Sequence, residues 1–104
     1  MPSEARLRKQ RKRAKEVRKE VRRRERNRMI RSEARTMVTA TRAALEADDR
    51  KAIEATLAQA LVRLDSAATS GVVHKNNAAR RKSRLMAAFH AKYPGAPTPS
   101  AEAG

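Results

Sequence analysis

Apolar side chains divide the chain into an unpatterned front and a periodic rear. From Ile30 onward, Ile30, Ala34, Met37 with Val38, Thr41 and Leu45 with Ala44 recur at spacings of three and four. That is the mark of one helix face turned to a core. Asp48 and Asp49 interrupt the stripe, and because Asp is a favoured N-cap whose charge suits the positive end of a helix dipole, a second helix starts near Asp49. Its own stripe reads Ile53, Leu57, Ala60 with Leu61, Leu64 and Ala68. Thr69-Ser70-Gly71 closes it, Gly71 being suited to the left-handed position just past a helix end. Val72 and Val73 then lead to Asn76 and Asn77, either of which can cap a third helix. That helix runs through Ala78, Leu85, Met86 and Phe89 to about Tyr93, ahead of Pro94. Three amphipathic helices joined by short turns predict an all-α protein with a three-helix bundle over residues 30–93. Residues 94–104 hold three prolines and small residues without apolar period, and are expected to form a disordered tail.

The front, residues 1–29, follows another rule. Between Arg6 and Arg35 sixteen of thirty residues are Lys or Arg and four are acidic, with no Gly or Pro to break a helix. A helix from Arg6 to Leu45 would be about 60 Å long at 1.5 Å per residue. So small a protein cannot bury it. The bases fall on every side of a helical wheel, and only Leu7, Ala14, Val17 and Val21 form an incomplete apolar line. Acids stand at helical spacing from bases, as in Glu4 with Arg8, Lys12 with Glu16, Glu20 with Arg24, and Glu25 with Arg22 and Arg28, which partly offsets the repulsion. The expected fold is therefore a bundle with a long, projecting, basic N-terminal helix.

Composition sharpens this picture. The hydrophobic content of 39% includes 21 Ala, whereas Leu, Ile, Val and Phe number 15, so the core is small. The net charge of +15 is unevenly placed: +11 over residues 1–35, −1 over 36–70 and +5 over 71–104. Such asymmetry calls for a polyanionic partner. An anionic membrane is the weaker choice, because residues 6–28 lack a wide apolar face with bulky anchors. There is no Cys, no apolar run of signal-peptide type and no stretch long enough to span a bilayer, so the cytoplasm is the expected location.

Catalysis is not expected. His74 and His90 stand sixteen residues apart with no third ligand at a useful spacing, so neither a metal nor another cofactor is expected. His74 reads as a loop residue or cap, with hydrogen bonding to phosphate or sugar as its functional alternative. Phe89 reads as core and Tyr93 as core edge. Two aromatics are too few for a base-stacking platform. The informative constellation is His74-Lys75-Asn76-Asn77-Ala78-Ala79-Arg80-Arg81-Lys82-Ser83-Arg84-Leu85, with four bases in five residues near a helix N-terminus. It is similar to the basic region of a leucine zipper, but Lys92 stands seven residues after Leu85 and no zipper follows.

Together with the Lys/Arg-rich start and with Arg23-Arg24-Glu25-Arg26-Asn27-Arg28 followed by Arg31-Ser32, the stretch from Gly71-Val72-Val73 to Leu85 resembles the bacterial ribosomal protein S-twenty family of the small subunit. The likeness spans roughly Arg6 to Phe89. It implies a three-helix bundle that binds 16S ribosomal RNA directly and early in assembly, with its first helix among several RNA helices near the bottom of the subunit body. Neither a homo-oligomer nor a small-molecule substrate is expected. The candidate RNA-binding side chains are Arg8, Lys9, Arg11, Lys12, Arg13, Lys15, Arg18, Lys19, Arg22, Arg23, Arg24, Arg26, Asn27, Arg28, Arg31 and Arg35 on the first helix, and His74, Lys75, Asn76, Arg80, Arg81, Lys82, Ser83 and Arg84 on the third. The alternative is a nucleoid-type DNA-binding protein, which such a basic helix would also serve.

Overall fold

A computed structural model describes residues 3–100. Met1, Pro2 and the last four residues of the expected tail lie outside that range. The described chain forms three helices and no strand: α1 (Glu4–Ala47), α2 (Arg50–Thr69) and α3 (Lys75–Lys92). Their number, order and periodic faces are those the apolar spacing predicts.

Local chemistry accounts for the helix ends. At the start of α1 the Ser3 side chain accepts from the Arg6 N–H at 3.3 Å. At its end Asp48 adopts the left-handed conformation (φ 55°) that residues with a Cβ seldom take. The N–H groups of Asp48 and Asp49 turn back to the carbonyls of Leu45 and Ala44. Asp49 then caps α2, its side chain accepting from the Ala52 N–H at 3.2 Å. Past α2, Gly71 has φ +75°. Its N–H bonds Ala68 O and that of Val72 bonds Ala67 O, the paired closure that a left-handed residue makes possible. The cap of α3 follows the cap reading of His74 and not that of the two asparagines. Neither Asn76 nor Asn77 caps it; His74 does, with Nδ1 accepting the Asn76 N–H at 3.1 Å, so the helix begins at Lys75. A neutral imidazole nitrogen is an acceptor with the same two-residue reach, a role the usual ranking of caps by small oxygen side chains does not include.

The core lies where the three apolar stripes meet. Ile53, Leu57, Leu64 and Phe89 are its large, fully buried side chains, and Ala34, Ala44, Ala60 and Ala78 fill the space between them. Thr41, also fully buried, donates from Oγ1 to Met37 O at 2.8 Å, so its hydroxyl is satisfied inside its own helix. Helix α2 packs against both neighbours, while α1 and α3 touch each other least.

Ahead of Ile30 the bundle ends and α1 continues alone. Every residue from Arg8 to Arg26 is exposed, including Val17 and Val21. The molecule is consequently 74 Å long and 23 Å wide, with a radius of gyration of 20.4 Å against about 13 Å for a compact chain of this length. Residues 94–100, assigned to the tail by composition, run back along the bundle. Ala96 packs against the core, Gly95 (φ +81°) makes the turn, and His90 Nε2 donates to Ala96 O at 3.0 Å.

Candidate nucleic-acid interface

Two basic surfaces follow from this architecture. The first is the free part of α1. Of the twelve bases between Arg8 and Arg26, only Arg24 makes an ion pair among the described residues, with Glu20 at 3.2 Å. The other acid–base spacings along the rod do not close. An exposed pair in water gains too little to hold two long side chains in one geometry. Arg8, Lys9, Arg11, Lys12, Arg13, Lys15, Arg18, Lys19, Arg22, Arg23 and Arg26 therefore project around the helix and do not converge on one cleft.

The second surface does converge. At 100° per residue, Arg24, Arg28, Arg31, Arg35 and Arg42 fall within an arc of about 60° on α1. Arg24, Asn27, Arg28, Arg31, Ser32 and Arg35 line one cleft along this arc. Further along, Arg35 and Arg42 form one wall of an open groove of about 330 Å³, and Arg80, Arg81 and Arg84 of α3 form the other, with Val38 and Thr39 between them. No carboxylate lines the groove, and none of its five arginines makes an ion pair among the described residues.

Glu33 and Asp65 are paired on the α2 side of the bundle, away from the groove. Glu33, about half a turn around α1 from the arginine arc, pairs with Arg63 of α2 at 3.2 Å. Lys82, grouped by sequence with Arg80, Arg81 and Arg84, faces α2 and donates to Asp65 at 2.6 Å. The basic run 80–84 is thus split by helix geometry, the arginines turning to α1 and the lysine to α2. His74 serves as a cap, Lys75, Asn76 and Ser83 are exposed at the start and middle of α3, and the Asn76 N–H is taken by His74.

Sequence reasoning left out Arg42 and took Asn77 only as a possible cap. Arg42 is one of four bases in the near-neutral middle of the chain, and its signal was the seven-residue spacing from Arg35 that places both on one face. Asn77, half-buried on α3, has its Oδ1 buried with no hydrogen-bond partner among the described residues. It shares a helix face with Arg81 and Arg84 at spacings of four and seven.

Neither a metal cluster nor a membrane span competes for this surface. Among the described residues no group of three or more His, Asp or Glu could hold a metal ion, and no helix is long and apolar enough to cross a membrane.

Comparison with known proteins places this geometry in a family. The family model for Ribosomal protein S20 matches residues 8–90. The small ribosomal subunit protein bS20 of Thermomicrobium roseum is 51% identical over 78 residues, covering 75% of this chain and 79% of that protein. That of Aliivibrio fischeri is 50% identical over 70 residues, covering 67% and 81%. The matched region takes in the rod, the arginine groove and all three helices, and the chain belongs to the ribosomal protein S20 family.

Proposed function

We propose that this protein binds 16S ribosomal RNA of the small subunit directly, and that it holds packed RNA helices together by neutralising phosphates between them during assembly. Membership in the family makes it a structural constituent of the cytoplasmic ribosome. The observation that carries the finer reading is the exposed rod, with twelve bases from Arg8 to Arg26 and a single ion pair among them.

Charge on all sides of a slender helix gains most when phosphate surrounds it. The protein's accessible surface is 8053 Å², against about 5,800 Å² for a compact chain of its mass. The excess, roughly 2,200 Å², has the size of a nucleic-acid interface. A-form RNA offers shape, sugar hydroxyls and phosphates to such a surface in place of a readable major groove. Arg and Lys of α1 supply the charge, Arg80, Arg81 and Arg84 supply a second contact, and the bundle sets the angle between them.

Salt dependence tests this. If six to ten phosphates are engaged, affinity for 16S RNA falls by about 10³ to 10⁵ between 50 and 200 mM salt. A flat salt response contradicts the proposal. Competition with duplex DNA separates RNA-specific binding from general polyanion binding.

A further inference from the structure

We propose that the arginine groove between α1 and α3 is a two-sided clamp for the phosphates of one RNA strand, and that filling it fastens α3 to α1. This deepens the RNA-binding reading and rests on it.

Every described ion pair between elements runs to α2 or to the corner before it: Glu33 to Arg63, Asp65 to Lys82, and Asp48 to Lys92. None joins α1 to α3, the pair that packs least. Between these two helices stand five arginines and no acid. In the free protein the groove walls repel each other. An anion seated between them converts the same charges into a bridge, as when oppositely placed cations share one phosphate.

The residue types and their spacing point to a strand of backbone. Guanidinium groups take two phosphate oxygens at once with a planar fork, where a lysine offers a point charge, and all five bases here are Arg. Arg35 and Arg42 are two helical turns apart, about 10.5 Å along the axis, so their guanidiniums reach different phosphates of one strand. Val38, buried at the base of the groove, excludes water from one side and strengthens the attraction above it. The groove also continues the cleft of Arg24, Arg28 and Arg31, so a strand leaving it stays on a basic track.

Hydrogen exchange of the full chain, free and with saturating 16S RNA, tests the clamp. In the wild type, RNA slows exchange at amides 78–89 of α3 by about tenfold or more, as well as along α1. In the double variant Arg42→Gln/Arg81→Gln the slowing along α1 persists and that in α3 is lost, with affinity down about tenfold for each arginine removed. A rod variant, Arg11→Gln/Arg18→Gln, binds more weakly but at saturation still protects α3. Both groove side chains are exposed; should the double variant lose helicity, Arg42→Gln alone carries the comparison. Equal protection of α3 in wild type and groove variant overturns the clamp, as does protection of α1 without α3 in the wild type. If a polyglutamate peptide protects α3 as well as RNA does, the assignment to phosphate is wrong. No protection anywhere sinks the RNA-binding reading itself, and the clamp with it.

Discussion

Lys82 of α3 donates to Asp65 of α2 across 2.6 Å, which turns one member of a dense basic run away from its neighbours. Its side chain is 27% exposed, and it contributes to packing α3 on α2 more than to any groove. Lys82→Gln should lower the stability of the free bundle by less than about 1 kcal/mol, the ordinary worth of such a pair. It should change RNA affinity no more than about twofold, whereas Arg81→Gln costs about tenfold. Filter binding of the two variants side by side decides it. Equal losses would mean that Lys82 leaves Asp65 for phosphate.

The cap of α3 gives a second expectation. His74 Nδ1 satisfies a first-turn N–H, so His74→Ala should cost about 1 kcal/mol, and His74→Asp, which caps and also suits the dipole, should recover that loss. Urea unfolding followed by helix signal measures both. An alanine variant as stable as the wild type would show that the imidazole does no capping.

Tyr93 links α3 to the corner between α1 and α2. Its hydroxyl donates to Asp48 at 3.3 Å, Lys92 donates to the same oxygen at 3.2 Å, and the Arg50 guanidinium lies 4.6 Å from the ring centre. Burial pushes the phenol above its ordinary value of 10.0, and the Asp48 carboxylate adds in the same direction. A raised folded value means that the neutral phenol's contribution is complete below about pH 10. It is lost as pH rises through the folded value. The stability difference between wild type and Tyr93→Phe should therefore be constant from neutral pH to about 10 and shift against the wild type above it. Thermal melts across that range give the curve, and a difference that already changes near neutrality would refute the assignment.

The rod should be the least stable part of the free protein. From Arg8 to Arg26 no side chain is buried, so little beyond backbone hydrogen bonds, three acids and the one Glu20–Arg24 pair opposes the repulsion of twelve bases. Amides from Arg8 to Arg24 should exchange near the rate of an unfolded chain without RNA and become protected with it. Slow exchange of that stretch in the free protein would mean that the helix stands without a partner.

What could be read without coordinates is short in range. Ile30, Ala34 and Val38 share a face because a helix repeats every 3.6 residues, and Asp49 and Gly71 mark ends because capping acts over two to four residues. The all-α class, the three helices and the projecting basic front follow from such local rules, while the family resemblance rests on particular residues, above all the stretch from Gly71 to Leu85. Whether Lys82 met phosphate or carboxylate depended on Asp65, seventeen residues away, and no local pattern carries that pairing. Arg42 joined Arg81 only because α2 sets α3 beside α1, and Ala96 met the core only because Gly95 turned the chain back. Periodicity decides which face of a helix is buried. Which charges then share a groove is decided by how buried faces meet, since packing sets the angles between helices and exposed charges are carried along with them.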